Sequence, residues 1–288
     1  MPYQSSRAPN ALLKPTSIEA YRKYSIFGLV KRTAFAALIG ASLSGCLESG
    51  SSSSDDAKLG GGKTPTVKDV SISGFAVKGI LAGAVVKAYD ISGTTLLAET
   101  TTNAQGKYTL PAINHDGPIL VKLETSADTE ATCDSAVGCD DGSATKVVFG
   151  AKYAFNKSGF SLSAVLPSAK AAEQQELMVT PVTNMAAARI KKAAQANGGS
   201  ISSADVVGLN QATATLLGLD GIDINTIAPV DITDATATNA GSAAAKLYGT
   251  LVASIQTLAE KDATKDITQV VDGLATDYAD NDGLVSKS

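Results

Sequence analysis

Few side chains in this chain are equipped for chemistry: three cysteines, one histidine, and carboxylates that are plentiful but scattered. Cys46 ends the run Leu43-Ser44-Gly45-Cys46, which follows a basic pair, Lys31 and Arg32, and an apolar stretch, Ala34-Phe35-Ala36-Ala37-Leu38-Ile39. A basic segment, an apolar segment and then small residues make up an export signal that is cut at the small residues. A cysteine just past the cut offers a thiol for acylation, and two or three acyl chains anchor a chain to a bilayer almost irreversibly. Cys46 is therefore the candidate lipidation site, with palmitate-type acyl chains as the expected modification.

The other two cysteines, Cys133 and Cys139, form an even pair in a chain expected to be exported, so they are read as a disulfide. Its loop is short, and chain entropy assigns it about 2 kcal/mol. Two cysteines and one distant histidine are too few ligands for zinc. Asp128, Glu130, Asp134, Asp140 and Asp141 surround this loop. Hard oxygen donors on a stapled loop are the donor type of a weak Ca²⁺ site, with Asp134, Asp140 and Asp141 as candidate ligands. An acidic excursion between strands is the favoured reading, so no metal and no cofactor is assigned. Asp280-Asn281-Asp282-Gly283 lacks the first ligand and the closing glutamate of a calcium loop.

Catalysis finds little support. A Ser-His-Asp arrangement would have to use His115, whose neighbours Asn114, Asp116, Gly117 and Pro118 are turn formers. There is no Gly-x-Ser-x-Gly elbow and no His-Glu-x-x-His. Gly62-Lys63-Thr64 resembles the end of a phosphate-binding loop, but Ala57 stands at its first position and Pro65 follows. The chain is read as a non-enzyme.

Composition narrows the partners. Residues 1–45 hold six of the 24 Lys/Arg and one of the 28 Asp/Glu, so the remainder carries a net charge of −9. That argues against nucleic acid, which needs clustered Lys and Arg, and against polybasic attraction to anionic lipid. There is no Trp, and Tyr89, Tyr108, Tyr153 and Phe155 suit core or sheet-face positions, which weakens a glycan-gripping reading.

The elements that would carry these residues fall into segments. Leu43 to Cys46 has the form of a bacterial lipobox, giving a lipoprotein signal over residues 1–45. The apolar run is shorter than the ~20 residues of a transmembrane helix. Reading from Val30 yields an ordinary short signal, so translation is expected to start near there. Residues 46–66, rich in Ser and Gly, read as a flexible tether. Over residues 67–166 the apolar period is two: Val86 and Ala88; Ile119, Val121 and Leu123; Val147, Phe149, Ala151, Tyr153 and Phe155; then Phe160, Leu162, Ala164 and Leu166. Residues 100–110 are expected to form a hairpin with Gly106 in its turn. About seven short strands predict a β-sandwich.

Over residues 167–288 the period becomes helical. Thr180-Pro181 predicts a cap and first turn for a helix ended by Asn197-Gly198-Gly199. Ser202 with Asp205 opens a second helix. A third is expected over about 238–260 with Ala244, Leu247, Leu251, Ile255 and Leu258 on its buried stripe. A fourth is expected near 265–279 with Ile267, Val270, Val271, Leu274 and Tyr278 inward. Four such helices predict a C-terminal all-α helical bundle.

Two stretches carry a resemblance. Gly74-Phe75-Ala76-Val77-Lys78-Gly79-Ile80-Leu81-Ala82-Gly83-Ala84-Val85-Val86-Lys87-Ala88-Tyr89-Asp90 and Thr100-Thr101-Thr102-Asn103-Ala104-Gln105-Gly106-Lys107-Tyr108-Thr109-Leu110 resemble the carboxypeptidase-regulatory-like (prealbumin-like) sandwich. Leu81 stands where that family often has Pro. The resemblance covers roughly residues 68–125 and implies an Ig-like fold; the family's name does not imply peptidase activity. The junction Leu177-Met178-Val179-Thr180-Pro181-Val182-Thr183 resembles that of bacterial lipoproteins with an Ala-rich helical tail. Some of these accompany outer-membrane uptake channels, including those for hydrophobic substrates. Leu47 after the lipidated cysteine favours the outer membrane, with the inner membrane as the other destination. Two functions follow as expectations: a non-enzymatic accessory subunit that binds a membrane-protein partner, or a surface-exposed attachment module.

Overall fold

Residues 70–169, 174–262 and 264–284 are described in the computed structural model; the lipobox with Cys46, the signal segment, the tether and residues 62–64 lie outside them. The first ten elements are strands: β1 (Val70–Phe75), β2 (Leu81–Ala82), β3 (Val85–Asp90), β4 (Leu96–Thr101), β5 (Lys107–Ile113), β6 (Ile119–Glu124), β7 (Glu130–Thr132), β8 (Lys152–Ala154), β9 (Ser161–Leu166) and β10 (Gln174–Glu176). Five helices follow: α1 (Pro181–Ala196), α2 (Ser203–Leu216), α3 (Ala235–Ala240), α4 (Ala243–Lys261) and α5 (Ile267–Asp280). A strand region followed by a helical region is thus the observed order.

The strands form three sheets. A four-stranded antiparallel sheet runs β4-β3-β6-β9, with Ala88 opposite Val121 and Val121 opposite Ala164. A second has the order β10-β1-β5, antiparallel between β1 and β5 and parallel between β1 and β10. A small third sheet, β2-β7-β8, lies under the disulfide loop region. Strand β6 is buried on both faces, at Leu120 as well as at Ile119, Val121 and Leu123. Period-two burial on β3 and β9 follows the expected residues.

The turn at residues 103–106 forms, with Gly106 at φ 69° and its N–H donating to the Asn103 carbonyl at 2.9 Å. It does not close a hairpin. β4 pairs with β3 and β5 pairs with β1, so the chain crosses here from one sheet to another. The local turn signature is the same for both outcomes, and only the distant partner strands decide between them. The strand expected from Val147 to Phe155 shrinks to three residues: Val147 bridges Cys139, and Val148 and Phe149 lie exposed in a turn.

Helix α1 starts directly from the second sheet. The Leu177 N–H donates to the Ser73 carbonyl, that of Val179 to Phe75, and that of Val77 back to Val179. Thr180 then caps α1: its hydroxyl accepts from the Thr183 N–H, the Thr183 hydroxyl accepts from the Thr180 N–H, and Pro181 occupies the first turn. Residues 177–180 are fully buried. Asn197 and Gly198 end the helix as expected. Helix α1 packs on β9, α2 and α5, and one apolar cluster runs from Ile72 and Leu123 through Ile190 to Val271.

Two helical expectations change. A fifth helix, the short α3, lies in the connection between α2 and α4. Helix α4 buries Tyr248, Val252, Ile255, Gln256 and Ala259, while Leu247 and Leu258 are about half exposed. Its stripe is turned by one residue because Tyr248 has two buried polar partners, the Thr180 hydroxyl at 2.8 Å and the Ile224 carbonyl at 3.1 Å. Beside it, the bare backbone of Gly249 lies against Val230, where a Cβ would collide with the Val230 carbonyl.

Candidate functional site

A groove of about 760 Å³ lies between the end of β9, β10, helix α2 and the segment 221–226. Leu166, Val207, Ala214 and Ile222 give it apolar walls. Two buried amides, Asn210 (6% exposed) and Asn225 (5% exposed), lie in its lining. Both turn their NH₂ groups to the Val165 carbonyl, at 3.5 and 3.3 Å. That shared acceptor sets the orientation of both amides, because a flipped amide would set oxygen against oxygen. Both Oδ1 atoms are buried and take no hydrogen bond from the chain. A buried acceptor left unpaired costs about 1–3 kcal/mol.

Asn225 is held from both sides. Its N–H donates to Asp223 Oδ1 at 2.9 Å, and its carbonyl accepts from the Met178 N–H at 2.7 Å, next to the cap of α1. Asn210 is positioned by α2, whose N-terminus Ser202 caps by accepting from the Asp205 N–H, as expected from sequence. Glu176 and Asp223 stand exposed at the rim, and the lining contains no Lys, Arg or His among the described residues.

A second polar cluster lies around Lys78, and its members Gly79 and Asp134 line a second cavity of about 270 Å³. Lys78 is fully buried; its Nζ donates to Tyr153 Oη at 3.0 Å and lies 4.4 Å from the centre of the Phe155 ring. Burial lowers its pKa to about 8, against the pull of Asp134 and Glu260. Asp134 is 5% exposed, and burial holds its carboxyl above the ordinary range despite Lys78 and the Gly79 N–H. Gly79 has φ 61°, and a Cβ there would strike the Thr132 carbonyl, so only glycine fits beside this pair. Glu260, at the end of α4, ties the cluster to the disulfide loop: it pairs with Lys146 at 2.8 Å, and its Oε1 accepts from the Asp140 N–H at 2.9 Å.

The cysteines Cys133 and Cys139 are bonded, as expected, with Cα atoms 5.7 Å apart. The calcium candidates are not brought together. Asp134 is turned into the Lys78 cluster, whereas Asp140 and Asp141 are exposed, and their carboxylates accept from the N–H groups of Gly142 and Ser143. Among the described residues no three His, Cys, Asp or Glu side chains are grouped to hold a metal. His115 lies half-buried in the loop before β6. Tyr108 is a core residue whose hydroxyl donates to the Leu177 carbonyl at 2.6 Å. Lys78, Asn210 and Asn225 escaped the sequence reading. The signal for Lys78 was a lone charge within the apolar run from Phe75 to Ala84.

The chain matches no protein-family model, no curated protein and no solved structure.

Proposed function

We propose that this chain is a lipid-anchored cell-envelope protein that works as a non-enzymatic binding or accessory subunit. The observation that carries the reading is the lipobox at Leu43 to Cys46, with its basic and apolar lead-in and its Ser/Gly-rich tether. The Cys133–Cys139 disulfide supports an oxidising compartment. Among the described residues no helix is long and apolar enough to cross a membrane, so under this reading the acyl chains supply the anchor. A groove with apolar walls and no grouped catalytic side chains among its described lining supports binding rather than turnover.

The strand region is read as a sandwich of the prealbumin-like type. Support comes from the crossing at residues 103–106, which links β4 of the four-stranded sheet to β5 of the second sheet, and from the inward residues Ile72, Leu110, Val86 and Leu123 in one apolar cluster. Attachment to an outer-membrane uptake channel for hydrophobic substrates is the partner reading, with outer-membrane residence; a surface attachment module is its rival.

The test is a pull-down from solubilised envelopes of cells fed an alkyne-bearing palmitate analogue. The chain should carry the label and enrich one integral membrane protein, and Cys46→Ser should lose the label. An unlabelled wild-type chain would overturn the anchor. A labelled chain recovered alone, and open to protease on intact cells, would favour surface attachment.

A further inference from the structure

The loop stapled by Cys133 and Cys139 leaves apolar surface uncovered. Its two arms are bonded at both ends: Cys139 and Val147 exchange backbone hydrogen bonds of 2.9 and 2.8 Å, and the Gly150 N–H donates to the Cys133 carbonyl at 2.8 Å. Val137 on one arm is 45% exposed, and Val148 and Phe149 on the other are 70% and 45% exposed. These are three of the nine large apolar side chains that stand exposed among the described residues, gathered on one loop rather than scattered. The tip beyond them is held back on α4, where the Asp140 N–H and Lys146 Nζ both donate to the Glu260 carboxylate, and it leaves them open.

Three partly exposed side chains fall far short of the roughly 800 Å² that each partner buries in a stable complex. That sets aside a second copy of this chain as the occupant. A bilayer makes no such demand, because an anchor that already holds the chain beside it raises the local concentration of a weak contact. The 24 residues 46–69 separate Cys46 from β1 and reach at most about 80 Å. Phe75 and Asp134 line one cavity, so the loop lies at the far end of β1 from Val70. The six residues of β1 add only about 20 Å, which keeps the loop within the anchor's reach. Asp140 and Asp141, exposed on the same loop, disfavour an anionic surface, and the fitting lipid is zwitterionic.

We propose that Val137, Val148 and Phe149 dip into the headgroup boundary of a zwitterionic bilayer and hold the body against it at this loop. The proposal rests on the anchored reading above only for a bilayer being at hand.

The test uses the full chain, with the Cys46 thiol coupled to a maleimide-bearing lipid in phosphatidylcholine vesicles; Cys133 and Cys139 are bonded to each other and do not compete. Coupling supplies the anchor by chemistry, so a chain that is never lipidated in cells would sink the anchored reading and leave this result standing. The chain has no Trp, so Val148→Trp places a single indole on the loop. Its emission should move to the blue on the vesicles, and lipids brominated in their acyl chains should quench it at least twofold. Leu247→Trp, at another exposed apolar position, on α4, should keep its emission unchanged. Adding Phe149→Asp to Val148→Trp should abolish the quenching and leave urea unfolding as it was. No quenching at residue 148, equal quenching at 148 and 247, or quenching that survives Phe149→Asp would overturn the proposal. So would a blue shift that grows with protein concentration in the absence of vesicles, which would mark the loop as a contact between copies.

Discussion

The two buried polar clusters differ in what completes them. Around Lys78 the chain supplies the opposite charges of Asp134 and Glu260, an acceptor on Tyr153, two aromatic rings and a disulfide loop held by Glu260. Around Asn210 and Asn225 it supplies one carbonyl for two NH₂ groups and leaves both oxygens buried without a hydrogen bond. The Lys78 cluster gathers opposite charges around its cation, although Asp134 Oδ1 takes no hydrogen bond either. The asparagine pair is neutral and held through one carbonyl, so substitution should cost more at Lys78 than at Asn225.

The largest effect belongs to the Lys78 cluster. Removing one member of a buried charge pair typically costs 3–5 kcal/mol because the other is left unanswered. Lys78→Met should lose about that much in urea unfolding, and adding Asp134→Leu should recover most of it. Independent losses that simply add would show that the two residues do not act as a pair.

Next comes pH. Lys78 is depressed from 10.5 to about 8, so between those values the unfolded state binds the proton that the native state has released. Stability therefore rises with pH across that window, by on the order of 3 kcal/mol if the group acted alone. Burial raises the hydroxyl pKa of Tyr108, Tyr153 and Tyr248. Above about pH 10 the unfolded state loses phenolic protons that the native state keeps, and stability turns down again. Melting temperatures at pH 7 to 10.5 should rise and then fall, and Lys78→Met should remove the rise.

A smaller loss is expected at the loop. Replacing Cys133 and Cys139 with serine should cost about 2 kcal/mol. Proteolysis should then cut first within residues 134–147.

The smallest effect should have the opposite sign. Asn225→Leu should change unfolding stability by less than about 1 kcal/mol, or raise it, because it removes an idle acceptor. A loss like that of Lys78→Met would make the groove amides structural and erase the contrast.

Legibility in the sequence followed how local each determinant is. The ends of α1 were readable because Thr180, Pro181 and Asn197 act within one turn of themselves. Strands β6 and β9 were readable because alternation sits in a single segment. The crossing at residues 103–106 was not, since β4 and β5 find partners far along the chain. The phase of α4 depends on Thr180 and Ile224, many residues before Tyr248. The groove amides are neutral, fifteen residues apart, and joined only through Val165; no spacing rule connects them. Lys78 showed in the sequence only as a lone charge between Phe75 and Ala84, and its partners Tyr153 and Asp134 lie far along the chain.

Strand β1 is the first described element, and it is bonded along one edge to β10 and along the other to β5. Its pairing with the chain beyond β10 continues through Val179, up to the cap of α1. Ladder bonds lie across a strand rather than along it. A pull reaching Val70 in the direction of β1 would therefore load those bonds in shear, sharing the force among them instead of peeling them off one after another. The first described strand is thus also the point where the body is best built to be held under tension.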